Sequence, residues 1–277
     1  MTAWAGLALA LRSPEEDAMR SRVPTYIHPL AGRALAWHAL RTLAALDPPP
    51  RRLFLISASP LDPSVVRDLP AEIVETTPDG WWADICDRLD ADIERLLVVD
   101  AAAATLGPAL RALVPASDDR AVVGAAGPLA AWLGRARLDD LARGGATLDT
   151  LAGDLDAAAP GADEDCLVRD RAALARAGAT LRDRIVLELM AGGTTFVLPE
   201  TVHVDVDVRI GPDTVVYPGV VLEGSTTIGA ETVIGPGCRI IDSWIGSGVE
   251  LKGWNYIIGA NIRNRAVLEP YVRRGFD

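Results

Sequence analysis

The chain has 277 residues, 49% hydrophobic, 23% charged and 5% aromatic, a globular composition long enough for one large or two ordinary domains, which excludes disorder as a whole-chain answer. Thirty-eight acidic against 27 basic side chains leave a formal charge of -11, so a nucleic-acid partner is not expected. The longest apolar runs, such as Trp4 to Leu11 and Ala101 to Ala104, fall short of a membrane span, and the N-terminus lacks the pattern of a signal peptide; the chain reads as cytoplasmic, with no membrane contact.

Three cysteines, Cys86, Cys166 and Cys238, are far apart and form no C-x-x-C pair, so they read as reduced, buried thiols rather than as a disulfide framework or a zinc site. The only lysine is Lys252, so no mechanism that needs a lysine in the first two-thirds of the chain is available.

In chain order, Ala5–Leu11, Leu53–Ser57, Glu72–Thr76, Leu96–Asp100 and Ala121–Gly124 have strand length and composition, with helical periodicity between them. Arg33 to Leu46 is the clearest helix, with Leu35, Leu40, Leu43 and Leu46 on one face and Pro48 to Pro50 closing it. The alternation predicts a mostly parallel, Rossmann-type α/β sheet, a fold that binds ligands at the carboxyl ends of its strands. Residues 149–165 read as a weak helix and a linker. From Leu167 to Met190 the pattern is helical and stops at Gly192-Gly193.

From Leu198 onward an aliphatic residue recurs every sixth position: Leu198, Val204, Ile210, Val216, Leu222, Ile228, Ile234 and Ile240. The register slips to Ile245, resumes through Leu251 and Ile257, and slips again to Ile262 and Leu268. Four positions after each member of the unbroken series stands a mostly small or β-branched residue, from Val202 through Thr226 and Cys238 to Trp244. A period of six predicts a parallel β-helix of three short strands per coil, with roughly four coils. Its corners hold Gly211-Pro212, Pro218-Gly219, Gly229, Gly235-Pro236-Gly237 and Gly246, where unusual or fixed φ is expected.

Pro199-Glu200-Thr201, the run Val204 to Val208, Ile210 to Thr214, Tyr217-Pro218, Leu222-Glu223-Gly224, Ile234-Gly235-Pro236 and Asp242 to Gly246 resemble the linker and first β-helix coils of the bifunctional N-acetylglucosamine-1-phosphate uridylyltransferase/glucosamine-1-phosphate acetyltransferase family. Arg169 to Leu174 is similar to that family's junction, and Met19 to Pro24 with His28 to Arg33 to its N-terminal signature. The resemblance implies a nucleotidyltransferase-like domain over residues 1–165, a linker helix over 166–194 and a left-handed β-helix of hexapeptide repeats over 195–277 that assembles into a homotrimer.

Nucleotidyl transfer needs backbone N–H groups, cationic side chains and usually a metal around the triphosphate. Where the family's cradle reads L-A-A-G-x-G-T-R-M, this chain has Leu11 to Met19, with Pro14 and Glu16 at the glycines and Ala18 at the arginine. Pro14 removes a donor, and Glu15, Glu16 and Asp17 repel phosphate. Thr25 stands where the family has a lysine, Ala102 where it has a metal-binding aspartate, and Arg169 where it has a metal-binding asparagine, a residue that would itself oppose a cation. Asp100, in a shifted register, and Asp170 remain as substitutes. Gly80 matches the uracil-recognition segment, but Trp81-Trp82 follow it and read as packing residues at a helix start.

Arg20, Arg22, Arg33 and Gly80 are thus candidate vestigial contacts for a nucleotide or sugar nucleotide, with no catalytic residue and no cofactor expected. Magnesium on Asp100 and Asp170 enters only under the alternative of an active sugar-1-phosphate nucleotidyltransferase. Acetyl transfer is not expected: His203 occupies an outward repeat position, and Arg273 and Arg274 lack a partner base. The leading expectation is a catalytically inactive binding, regulatory or scaffold subunit; a purely structural trimer is a further alternative.

Overall fold

A computed structural model describes residues 3–12, 18–141 and 147–275. The chain divides into two compact units, Met1–Ala177 and Gly178–Asp277.

In the first unit, β1 (Ala3–Ala10) is buried from Trp4 to Ala10 and lies in the middle of the sheet. A small hairpin of β2 (Pro29–Leu30) and β3 (Arg33–Ala34) leads into α1 (Leu35–Ala44). Then follow β4 (Arg52–Ser57), β5 (Glu72–Glu75), α2 (Trp81–Cys86), β6 (Ile93–Asp100), α3 (Pro108–Leu113), β7 (Arg120–Gly124) and β8 (Gly127–Gly134). The remaining elements are α4 (Arg135–Leu141), α5 (Leu148–Ala152), β9 (Asp156–Ala158) and the start of α6 (Arg171–Ala191). Among the described residues the sheet has seven strands in the order β5-β4-β1-β6-β8-β7-β9.

The first four strands are parallel. The chain steps outward from β1 to β4 and β5, then returns to β6 on the other side of β1. That reversal makes the carboxyl ends of β1 and β6 a topological switch point, where diverging connections leave a crevice. On one face, Leu7, Phe54, Leu96 and Leu133 pack with Trp81, Trp82 and Ile85 of α2 and Leu148 and Leu151 of α5. On the other, α1 lies so near that a Cβ on Gly6 would stand 2.9 Å from Leu53 Cδ1 and 3.4 Å from Leu43 Cδ1. Leu35, Leu40, Leu43 and Leu46 are all buried, as the helical periodicity required.

The sheet is mostly parallel, as expected, with β8 antiparallel to both neighbours because a two-residue turn after β7 folds it straight back. The structure corrects two other sequence expectations here. The expected linker contains β9, an exposed three-residue strand parallel to β7. Cys166 and Cys238 are buried, but Cys86 is only half-buried; all three are free thiols.

The second unit takes up the rest of α6 and a left-handed β-helix of hexapeptide repeats. Among the described residues, one sheet stacks β10 (Thr195–Phe196), β13 (Val215–Val216), β16 (Val233–Ile234), β19 (Glu250–Leu251) and β22 (Val267–Leu268). A second stacks β11 (His203–Val204), β14 (Val221–Glu223), β17 (Arg239–Ile241), β20 (Tyr256–Ile258) and β23 (Arg273–Arg274). The third holds β12 (Arg209–Ile210), β15 (Thr227–Ile228), β18 (Trp244–Ile245) and β21 (Asn261–Ile262). The aliphatic residue of each hexad from Val204 onward stacks inward on its counterparts, as Val204, Leu222, Ile240 and Ile257 do.

Two rung assignments change. Leu198 is 53% exposed with φ 60, because the chain enters the helix through a short 3-10 turn; Phe196, paired with Val216, opens the stack instead. Trp244 faces outward, and Ser243 takes the small inward position. Both register slips fall at the same corner, between the second sheet and the third, which shortens by one residue, from 224–226 to 242–243, and stays two residues long at 259–260. Paired residues are eighteen apart at Leu222 and Ile240, but seventeen apart at Ile240 and Ile257.

The corner glycines also divide into two kinds. Gly219 and Gly237 have positive φ, as expected, and the next coils place Trp254 and Tyr271 at the same left-handed corner. Gly211, Gly229, Gly235 and Gly246 do not; a Cβ on Gly229 would lie 2.5 Å from Ser247 N, against the backbone of the next coil. Those residues are glycine so that coils can touch. Buried Thr214 and Thr232 are satisfied by donating to the carbonyls of Gly229 and Gly246, at 2.9 and 3.0 Å. No helix among the described residues is long and apolar enough to cross a membrane.

Candidate functional site

The switch point of the first unit carries a pocket of about 200 Å³, lined by Leu9 and Leu11 of β1 and its exit, Arg12, Tyr26, Asp100 at the end of β6, and Arg169. Pro78, Pro128 and Thr147 to Asp149 complete the lining among the described residues. Tyr26 is buried, and its hydroxyl accepts the Arg12 N–H at 3.1 Å, which holds the chain leaving β1. Thr147 caps α5 by accepting the Thr150 N–H at 3.2 Å. Two guanidinium groups and two carboxylates, Asp100 and Asp149, leave the lining formally balanced.

Asp100 is 7% exposed. One carboxylate oxygen accepts the Ala102 N–H at 2.8 Å, and the other lies 3.6 Å from Arg169 Nη2. Arg169 reaches that place because Val168 donates its N–H to Ala102 O at 3.1 Å, tying the segment before α6 to the loop after β6. That loop is buried from Ala101 to Leu106, and Glu164 fastens its far end, accepting the N–H groups of Gly107 and Ala109 at 2.7 and 3.0 Å. Asp170 caps α6, accepting the Ala173 N–H at 2.6 Å.

Of the carboxylates considered for magnesium, Asp170 gives one oxygen to a helix end and Asp100 faces the Arg169 guanidinium at 3.6 Å. Among the described residues, no three His, Cys, Asp or Glu side chains gather into a metal site.

The sequence-derived contacts lie elsewhere. Arg20, with φ 49, and Arg22 are exposed. Arg33 pairs with Asp68 at 3.1 Å and lies 5.1 Å over the Trp37 ring. Gly80 precedes α2, where a Cβ would come 2.9 Å from Thr77 Oγ1. Trp81 and Trp82 are buried in the core, and the Trp82 indole donates to Asp139. None of these four candidates is in the described lining. Pro14, Glu15, Glu16 and Asp17 lie outside the described residues. Arg12, Tyr26, Thr147 and Asp149 escaped the sequence reading; only Arg12, directly after an apolar strand, carried a signal.

In the β-helix, His203 is half-exposed on β11, 3.2 Å from the buried Asp205. The hydrogen bond to Asp205 holds its imidazole above the usual value against the opposing effect of burial. Burial pushes the Cys166 and Cys238 thiols up, away from reactive thiolate character.

An α/β unit with its pocket at the sheet's switch point, followed by a hexapeptide β-helix, defines the class: a two-unit protein carrying a transferase-type repeat domain. Residues 207–242 match the family model for bacterial transferase hexapeptide (six repeats). Through its C-terminal region the chain is GlmU-like. It is 40% identical over 128 residues to the bifunctional protein GlmU of Geobacillus sp. (strain WCH70), covering 42% of this chain and 28% of that one. Against the bifunctional protein GlmU of Limosilactobacillus reuteri (strain DSM 20016) the values are 48% over 89 residues, 32% and 20%. The chain thus spans about a fifth to somewhat over a quarter of the length of these relatives.

Among solved structures, Rv0371c from Mycobacterium tuberculosis H37Rv matches with TM-score 0.47 and 17% identity, covering 64% of this chain and 98% of that one. The 4-diphosphocytidyl-2C-methyl-D-erythritol synthase from Anaerococcus prevotii DSM 20548 gives 0.46, 9%, 65% and 98%.

Proposed function

We propose that this protein is a noncatalytic binding or regulatory subunit linked to sugar-nucleotide metabolism, trimeric through its β-helix, with a nucleotide or sugar nucleotide as the ligand of the crevice between β1 and β6. The observation that carries the reading is the Asp100–Arg169 pair: the buried carboxylate at the switch point faces a guanidinium at 3.6 Å. A fixed positive charge there disfavours a divalent ion at close range, and phosphoryl chemistry without one loses a main source of charge neutralisation. The crevice keeps hydrogen-bonding groups from Arg12, Tyr26 and Thr147, which supports binding without turnover.

The test is twofold. Magnesium with UTP and N-acetylglucosamine 1-phosphate is expected to release no pyrophosphate, whereas UDP-N-acetylglucosamine raises the melting temperature of the first unit. Pyrophosphate release that disappears in Asp100→Ala overturns the inactive reading, and a melting temperature indifferent to nucleotides and sugar nucleotides overturns the binding one. Light scattering at micromolar concentration is expected to give three times the chain mass; a monomeric mass refutes the trimer.

A further inference from the structure

Exposed apolar side chains are unevenly placed in this chain. The five tryptophans of the first unit are buried, whereas both tryptophans of the β-helix, Trp244 and Trp254, are exposed. Of eleven exposed large apolar side chains among the described residues, seven stand on one side of the β-helix. Val197, Tyr217, Val233 and Val267 are on the outer face of its first sheet, and Leu198, Trp254 and Tyr271 are at the corner that follows.

Strand alternation builds that face. The first sheet pairs Thr195, Val215, Val233, Glu250 and Val267 in one outward column, and the residue after each inward rung turns outward again, as Val197 and Tyr217 do. The outward column of the second sheet is His203, Val221, Arg239, Tyr256 and Arg273, and that of the third is Arg209, Thr227, Trp244 and Asn261. Only the first sheet combines an apolar column with an apolar corner.

The corner carries a second sign. Trp254 and Tyr271 are 59% and 74% exposed and have φ 54 and 66, where the earlier coils have Gly219 and Gly237. A bulky side chain in left-handed backbone costs stability, and a ring left in solvent returns little of it within the chain. A Cβ on Gly237 would strike the Trp254 ring, so the indole lies on the preceding coil and turns its remaining surface outward.

The backbone and the charges narrow the occupant. The corner N–H groups of Gly237, Trp254 and Tyr271 donate to Pro218, Pro236 and Gly253 of the preceding coils, so an added strand finds no main-chain donor there. Glu250, Lys252 and Glu269 are confined to the last two coils of the face, and Lys252 pairs with Glu269 at 2.7 Å. Five stacked strands repeat the surface at about 4.8 Å over roughly 19 Å. A second copy with its axis parallel has that same repeat and sets a rung opposite every rung.

We propose that the outer face of the first sheet, with the corner of Trp254 and Tyr271, is the surface through which copies of this chain join. The assignment rests on the trimer of the preceding subsection and adds the face that forms it. Tryptophan and tyrosine anchors at the centre and an ion pair at one end are the usual anatomy of a protein–protein contact.

The experiment is dilution of the full chain, followed by light scattering. The Trp254→Gly/Tyr271→Gly variant, which restores the residue of the earlier coils, is expected to dissociate at roughly tenfold higher concentration or more than the unmodified chain. Trp244→Thr, which places on the third sheet the residue of the preceding rung, is expected to dissociate like the unmodified chain. A glycine variant that holds together as tightly as the unmodified chain, or a Trp244→Thr variant weakened as much as the glycine one, overturns this face and leaves the trimer standing. An unmodified chain that is monomeric throughout overturns the trimer and the face together. Hydroxyl-radical footprinting of the unmodified chain gives the answer even where a variant does not fold: Trp254 and Tyr271 are expected to be oxidised less in the assembled state than after dilution, with Trp244 unchanged, and equal oxidation in both states overturns the proposal.

Discussion

Replacing Gly229 and Gly259 separately by alanine separates two reasons for a corner glycine. Gly229 lacks a positive φ, but its Cβ would lie 2.5 Å from Ser247 N and 2.7 Å from Gly246 C, where ordinary contacts begin near 3.4 Å. Backbone cannot swing aside as a side-chain tip does, so adjacent coils must part by about 1 Å from their usual 4.7–4.9 Å spacing. The Gly229 N–H to Ile245 O bond, now 2.8 Å, would then stretch beyond hydrogen-bonding range, and its neighbours along the corner with it. Two lost bonds at about 1 kcal/mol each, with overpacking strain of about 1–2 kcal/mol, give roughly 3–4 kcal/mol.

Gly259 has φ 55 and open space, with no atom within 4 Å of its Cβ; alanine there costs only the left-handed conformation, about 1–2 kcal/mol. The difference of about 2 kcal/mol is roughly thirtyfold in local opening. Amide hydrogen exchange resolved over peptides of the β-helix measures it without assuming that the two units unfold together. If Gly259→Ala opens these coils as much as Gly229→Ala, the close-approach argument is wrong.

Two more perturbations test other parts of the molecule. Glu164 is 3% exposed and accepts three backbone N–H groups, from Gly107, Ala109 and Gly161; Glu164→Ala should cost the first unit about 3 kcal/mol, visible in urea unfolding, and a loss under 1 kcal/mol would contradict its role as an internal cap. Because Asp205 raises the folded-state pKa of His203, that pair's contribution is complete below the unfolded value of 6.5 and is lost as pH rises through the folded one. NMR titration of His203 should show the raised midpoint, and Asp205→Asn should lower it and remove the matching pH dependence of β-helix stability; an unchanged midpoint refutes the link.

The β-helix was legible because its physics is local. An inward rung every six residues and a stackable corner leave the same trace in each coil, so Val204 to Ile240 could be placed from spacing alone. The entry was not, since Phe196 precedes the hexad series and a turn at Leu198 breaks it. In the first unit, β1 and β6 announced themselves as runs buried on both faces. The strand β8 hid behind a Gly-Pro start and a string of small residues, and β9 is too short and too exposed to leave an apolar signature. Asp100 and Arg169 could each be singled out in the sequence, but their meeting depends on the Val168 to Ala102 hydrogen bond, a contact between distant segments. Arg12, Tyr26 and Thr147 become neighbours only because the strand order reverses beside β1.

The shortened corner of the β-helix has an evolutionary corollary. From Ile240 onward equivalent positions are seventeen residues apart, so a tandem duplication that extends the later coils in register must copy seventeen codons. Copying eighteen, the period of the earlier coils, would deliver a surplus residue to a corner two residues long and set the copied coil one residue out of step with its neighbour. Growth of this scaffold by repeat gain is thus phased, and its two halves are not interchangeable as building units.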